Sequence, residues 1–349
     1  MFLPYSTINP LTLVRVLRRL PQLGDLIVQE GDVVEPLNTI AQTVMPPEFC
    51  IINVSRDLSL SAKTVKQSLQ VKVGDVVRQG AVLASRGGLS GRVCKAPMAG
   101  TITGFGRGRL LLEGQPHLQQ LSALVPGRVT QIFPGSGAAI ETVGAFIEGA
   151  WGNGAESYGT LRVVVRAARH PIRPKHIDSS TQGTIIVGGA RLDEEALDQA
   201  IEMQVRGIIV GGVPPALMPR LKTVDFPVVA TEGVGQIPMS NAAFKMLSSL
   251  DGREAAVCGR LKTRWGNERP YIVVPMPSQK GSPVNPETPL GLGVRVRALR
   301  APNLGGSGTI SNLPLGLVLL ETGARLPGAQ VDFDGEVAFV PFANLERLL

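Results

Sequence analysis

Residues 68–104 read SLQVKVGDVVRQGAVLASRGGLSGRVCKAPMAGTITG, and the architecture turns on this stretch. Leu69, Val71 and Val73 alternate with polar neighbours, the period-two pattern of a half-buried strand. Gly74-Asp75 supplies a turn and Gln79-Gly80 a second one, positions where glycine takes a positive φ without steric cost. Val76, Val77, Val82 and Leu83 are short strand material around these turns, and a further strand is expected over 91–95. Ala96-Pro97-Met98-Ala99-Gly100 forms a bend, because proline fixes φ and removes a ladder donor; Thr101-Ile102-Thr103 then resumes the strand.

The phrase has a near-copy upstream, LGDLIVQEGDVVEPLNTIAQT at 23–43. VKVGDVVRQGAVLA followed by GRVCKAPMAGTITG resembles the barrel-sandwich hybrid of biotinyl and lipoyl domains, closest to the version found in peripheral subunits of membrane ion-translocating oxidoreductases. The resemblance implies a small barrel of short strands. Carrier domains of this kind hold a modified lysine in an exposed hairpin. Here Ser85-Arg86-Gly87-Gly88-Leu89-Ser90 contains no lysine, and Lys95 sits just before the Ala-Pro bend, so a scaffold or docking surface is expected and no swinging arm. Residues 117–161 repeat the theme. Pro126-Gly127-Arg128-Val129-Thr130 resembles the bend and AAIETVGAFIEG at 138–149 the turn phrase, so they read as a further part of the same barrel system.

A length of 349 residues suggests two to four domains. Aromatic residues make up only 4%, whereas glycine and proline number 41 and 27, which favours turns and short strands over long helices. No apolar run is long enough for a transmembrane helix. The N-terminus, MFLPYSTINPLTLVRVLRRLPQ, places its charge after its apolar residues, unlike a secretory signal, so a cytoplasmic location is expected. Cys50, Cys94 and Cys258 lie far apart without a C-x-x-C spacing, and His117, His170 and His176 form no ligand motif; no metal site and no cofactor is expected.

The net charge is +7 and unevenly spread. The block 162–176, RVVVRAARHPIRPKH, carries Arg162, Arg166, Arg169, Arg173 and Lys175 with no acid, a density suited to phosphates. The alternative is a strand end with arginines facing water, followed by a proline-interrupted linker; the scarcity of aromatics to stack bases favours it.

Beyond this block the pattern changes. Apolar strands at 183–187, 207–210, 227–230 and 255–257 alternate with helices at 192–203 and 241–250 and a short one near 214–221, with Ser240 as an N-cap. This is a small parallel, Rossmann-like α/β sheet, in which ligands sit at the carboxyl ends of strands. The candidates there are Gly211, Gly212, Thr231, Glu232, Gly233 and Gly235. No G-x-G-x-x-G or G-x-x-x-x-G-K-[ST] opens a helix, and Asp193, Glu194 and Glu195 at the first helix start repel an anion, which disfavours ordinary dinucleotide binding. Glu232 would act as an acid or base if desolvated; otherwise it caps a loop.

After the strand at 271–275, SQKGSPVNPETP marks a boundary. Val294, Val296 and Ala298 alternate with Arg295 and Arg297, with Arg300 beyond, and Asp334-Gly335 closes a two-residue hairpin. The segment GVRVRALRAPNLGGSGTISNLP…AQVDFDGEVAFVPFANLERL resembles the KOW motif and its SH3-like barrel, departing from it at Ala301–Gly306; the resemblance makes Arg295, Arg297 and Arg300 candidates for RNA contact.

The expected fold is therefore multi-domain and β-rich with α/β. Its parts are a duplicated barrel-sandwich hybrid region over 1–166, a basic linker over 167–180, a small α/β domain over 181–277, a linker over 278–289 and a KOW-like SH3 barrel over 290–349. The expected function is a non-enzymatic scaffold or adaptor with a protein partner. The alternatives are a factor associated with RNA or nucleoprotein, and a small-molecule-binding protein or enzyme using the strand ends.

Overall fold

Apolar residues alternate along Ile8–Arg19, so that Val14 and Val16 are buried while Arg15, Leu17 and Arg19 face outward. In the computed structural model, which describes residues 5–6, 8–87, 91–261, 269–276 and 290–348, this strand runs antiparallel to Gly137–Glu148, with Arg19 opposite Gly137 and Ile8 opposite Ile147. The linker expected at 278–289 and hairpin residues 88–90 lie outside the described residues. Strand makes up 46% of the chain and helix 14%, so strand pairing sets the architecture, in several sheets compatible with barrel-like domains.

Gly137–Glu148 also pairs with Gly127–Phe133, which reaches Val33–Val34; Thr39–Met45 pairs with His117–Ser122 and with Asp25–Leu26. Residues from both halves share one core around Val16, Val34, Ile40, Leu121, Val129 and Ile140, so 117–148 completes the barrel-like unit begun at the N-terminus.

Between those halves lies a second unit with its own core, built on Ile52, Leu58, Leu83, Ile102, Leu110 and Leu112. It comprises the sheet of Phe49–Ile52, Arg109–Glu113, Gly100–Gly106 and Val76–Val77, the hairpin of Val82–Arg86 with Arg92–Lys95, and two short helices, α1 (Val54–Leu58) and α2 (Ala62–Ser68).

The repeated sequence phrase produces repeated hydrogen bonds. Gly31 N–H donates to Val129 O at 2.8 Å as Gly74 N–H donates to Ile102 O at 2.7 Å, and Ile27 N–H donates to Ile40 O as Gln70 N–H donates to Leu83 O. Asp32 and Asp75 accept from the backbone N–H three residues earlier, both at 2.8 Å. Gly31 and Gly74 have φ of 97° and 101° with open space around them, so glycine is needed there for conformation. Gly127 and Gly100 are needed for space: a Cβ on either would stand 2.2 Å from the carbonyl oxygen of Glu141 or Glu113.

The parallel α/β sheet is formed by Glu156–Val163, Ile185–Val187, Gly207–Val213 and Val228–Val234. Its helices are α3 (Glu194–Glu202), α4 (Met218–Leu221) and α5 (Asn241–Ser249), the last capped by the Ser240 side chain. Glu254–Cys258 and Tyr271–Pro275 add antiparallel strands, and the latter pairs with Gly137–Glu148, so this sheet is continuous with the strands of the N-terminal unit.

The last sheet contains Arg295–Ala298, Ser307–Asn312, Gly328–Phe333, Glu336–Pro341 and Leu345–Leu348, with Tyr5–Ser6 added parallel to Leu345–Leu348. Asp334 and Gly335, with φ of 57° and 103°, make the two-residue hairpin turn between Phe333 and Glu336.

Candidate functional site

The strand ends of the parallel sheet bring Gly211, Gly212, Thr231, Glu232, Gly233 and Gly235 together, and the chain itself fills the space between them. A Cβ on Gly211 would meet Met239 N at 2.2 Å, and one on Gly212 would meet Gly235 O at 2.4 Å. Buried Thr231 donates its hydroxyl to Val210 O. The Glu232 carboxylate is engaged on both oxygens: Oε1 accepts from Ser240 N–H at 2.9 Å, and Oε2 pairs with Arg297 Nη1 at 2.5 Å.

Two candidates taken for different chemistries therefore meet in one ion pair. Arg297 is not the outward-facing arginine that strand alternation suggests; it is 4% exposed, because the α/β lobe covers its side of the strand. It pairs with both Glu232 and Glu346, and Glu346, 3% exposed, also accepts from Arg269 at 2.5 Å. Burial opposes ionisation of Glu346, but Arg297 and Arg269 outweigh it and hold the carboxyl below its ordinary range. Burial likewise opposes the Arg297 charge, and its two carboxylates more than compensate. This arrangement joins two lobes and leaves neither Glu232 as a base nor Arg297 as a phosphate contact.

Arg162, Arg166, Arg169, Arg173, Lys175, Arg295 and Arg300 are all exposed. Arg169 and Arg295 line two adjoining clefts, of about 520 and 410 Å³, which share Asn241, Ser307 and Asp334; the others in this set do not line these clefts.

A cavity of about 940 Å³ runs beside Ile8–Arg19. Arg18, 1% exposed, occupies a position where the strand pattern calls for an apolar residue. It pairs with both oxygens of Glu156 at 2.7 and 2.6 Å and donates from Nε to Ser122 O. Arg260 shares the same carboxylate at 3.2 Å. Burial raises the Glu156 carboxyl, but the arginines bring it below its ordinary value. The pair ties Ile8–Arg19 to the start of Glu156–Val163, a strand with which it shares no backbone pairing among the described residues.

The strongest uncompensated charge lies elsewhere, on the inserted unit. Residues 49–113 hold ten Lys and Arg against three Asp and Glu, a net +7 equal to that of the whole chain, so the remainder is balanced. All ten cations are exposed, and among the described residues none is in an ion pair. Two of the three acids are engaged locally: Asp57, itself exposed on α1, accepts from the Cys94 thiol at 3.3 Å, and Asp75, also exposed, accepts from Lys72 N–H.

Six of the cations gather at one end. Arg86 and Arg92 are direct cross-strand partners, and both turn to the C-terminus of α1: Arg92 donates to Ser59 Oγ, and Arg86 to the carbonyls of Leu58 and Ser59 at 3.4 and 3.3 Å. On the other side, the turn carrying Arg107 and Arg109 packs on the helices. Gly108 O accepts from Ser55 N–H, and a Cβ on Gly108 would lie 1.9 Å from Ser55 Oγ and 3.2 Å from Ala62 Cα. Arg56 on α1 and Lys63 on α2 complete the group. The unit joins the body at the opposite end of its sheet, where Gly114 N–H donates to Glu48 O at 2.8 Å beside the Phe49 and Glu113 pair. The strands carry the cations away from the body. Counting charge over each repeat rather than over windows is the sequence signal that finds this unit.

Among the described residues no group of three or more His, Cys, Asp or Glu is placed to hold a metal, and no helix is long and apolar enough to cross a membrane. No protein family matches the chain, and no curated protein matches it.

Proposed function

We propose that the chain is a non-enzymatic docking protein, an adaptor in which one barrel-sandwich hybrid is nested in the hairpin of another and serves as the docking head. The observation that carries this reading is the concentration of the entire net charge on the inserted unit, with six of its ten cations at the end remote from its neck. The first barrel, the Rossmann-like sheet and the KOW-like SH3 barrel are then the platform, tied together by the buried pairs of Arg18 with Glu156 and of Arg297 with Glu232 and Glu346. The carrier alternative has no support from the hairpin: its arms present Arg86 and Arg92, and Lys95 is held in a strand opposite Val82.

A second reading, contact with RNA through the seam between the C-terminal barrel and the α/β lobe, has one observation in its favour, the approach of Arg169 and Arg295 to adjoining clefts. Asp334 lies in both clefts and weakens the positive potential there.

The test is excision. Joining Glu48 to Gly114 by a short turn removes the head and closes the hairpin of the first barrel. A partner recovered in stoichiometric amount with the full chain and lost with the excised chain supports the docking reading; a partner that follows the excised chain equally overturns it.

A further inference from the structure

We infer that the α1–α2 corner of the inserted unit binds the phosphate backbone of a nucleic-acid duplex, without regard to sequence. The inference rests on the docking reading and names the class of partner.

Five of the six cations at the corner are arginines: Arg56, Arg86, Arg92, Arg107 and Arg109, with Lys63 beside them. Guanidinium forks match phosphate oxygens two at a time, which an ammonium does not. These side chains also rise from folded elements, a hairpin rung, a tight turn and two capped helices, so their points of attachment form a fixed array. Two like charges directly opposite on a rung repel. Arg86 and Arg92 are held together by the helix-end carbonyls and the Ser59 hydroxyl, and among the described residues neither is in an ion pair; a phosphate placed there relieves the repulsion.

The composition of the unit decides between polyanions. It has two aromatic residues: Phe49, 62% exposed but at the neck, and Phe105, packed against the core. Phe105, two residues from Arg107, is half-buried against that core, and Phe49 is remote from the corner, so among the described residues the corner sets no exposed ring among its cations and single-strand recognition is not served. A bilayer surface is engaged by apolar side chains set among the cations. Here the most exposed apolar side chains, Phe49, Ile51 and Val76, lie on the strands that lead up from the neck, and beside the corner cations stands the smaller Val93, 46% exposed next to Arg92. What remains is contact with a regular array of phosphates, which positions a protein on a duplex and reads no bases.

The test is fluorescence anisotropy of the full chain with two unrelated short DNA duplexes, over a salt series. Six phosphate contacts give a slope of log K on log salt of about −5, a loss on the order of a thousandfold between about 50 and 200 mM. The two duplexes should bind alike. Replacing Arg86 and Arg92 by glutamine should flatten the slope by about 2. Because those two also hold the helix corner, a second variant, Arg56→Gln with Lys63→Gln and Arg109→Gln, whose side chains make no hydrogen bond among the described residues, should flatten it by about 3 without lowering the melting temperature. Arg162→Gln with Arg166→Gln, outside the unit, should change nothing. The inference is overturned if duplex binding survives excision of 49–113, if the control pair weakens it as much as the corner variants do, or if vesicles containing phosphatidylserine bind and the duplexes do not. A protein partner lost on excision, with no duplex bound by the full chain, would refute the duplex and leave the docking reading standing.

Discussion

Arg297 shows how one residue changes meaning when its surroundings are known. In sequence it alternates with apolar neighbours beside Arg295, and such a residue belongs in water or on a phosphate. In the fold Arg295 is exposed and Arg297 is enclosed, because a lobe contributed by residues more than sixty positions earlier lays Glu232 against it. Truncating it strands two buried carboxylates, so Arg297→Ala should destabilise the protein by about 3–5 kcal/mol, read as a fall in the urea midpoint. The paired carboxylates also give stability a defined acid dependence. Glu346 and Glu156 ionise more readily folded than unfolded, so in acid the unfolded chain binds more protons and stability rises with pH. Their contribution is fully present above the unfolded carboxyl value of about 4.3 and is lost as pH falls through the folded values below it. The melting temperature should be flat with respect to these groups from neutrality to about pH 5 and fall below that, and Glu346→Gln should make the fall shallower. Cys94 behaves oppositely. Burial and its hydrogen bond to Asp57 push the thiol up to about 12. It should resist alkylation near neutrality in the folded protein and react once urea is added, as mass spectrometry would show.

At the scale of elements, the glycines separate what backbone conformation demands from what packing demands. Gly31→Ala and Gly74→Ala impose an unfavourable φ in open space, a cost of order 1–3 kcal/mol. Gly127→Ala and Gly100→Ala drive a methyl into the carbonyl of a paired strand, which must separate, so each should lower the unfolding midpoint more than its turn counterpart in the same unit. These turns were legible because the phrase G-D-V-V carries its own reasons, a positive φ and an aspartate that satisfies the backbone three residues earlier. The strands and helices of the parallel sheet were legible for a similar local reason: apolar runs and a helical stripe bounded by Ser240 or glycine. The nesting was not. The opening half of the barrel recurs later in the chain, with Leu26 answered by Leu69, whereas its closing half occurs earlier, with Gly127 answered by Gly100. A linear scan for repeats sees three similar passages and cannot tell which halves share a core, since that is decided by burial between distant strands. The buried arginines were hidden likewise: an arginine on an amphipathic strand reads the same whether its partner is water or a carboxylate more than a hundred residues away, as for Arg18 and Glu156.

For the whole molecule, nesting separates stability from charge. The body is joined by one sheet that runs from the parallel strands into the first barrel and by ion pairs that cross between lobes. The head has a separate core and is joined by two chain crossings held at Glu48 and Gly114. A unit of that size buries a modest share of its surface and is marginal by itself. Ten cations against three acids add self-repulsion, which salt screens over about 8–10 Å. The head should therefore unfold first, and added salt should raise its transition while leaving that of the charge-balanced body nearly unmoved. Calorimetry of the full chain is expected to show two transitions, the lower one rising with sodium chloride and absent after excision of 49–113. The same excision leaves a chain with equal numbers of acidic and basic residues, which should pass through a cation exchanger that retains the full protein at neutral pH. A single transition in the full chain, shifted as a whole by excision, would mean that the nested core is folded by the body around it. The cations would then be held out on a structure that cannot yield independently, and contact with a polyanion would stabilise the entire molecule instead of the head alone.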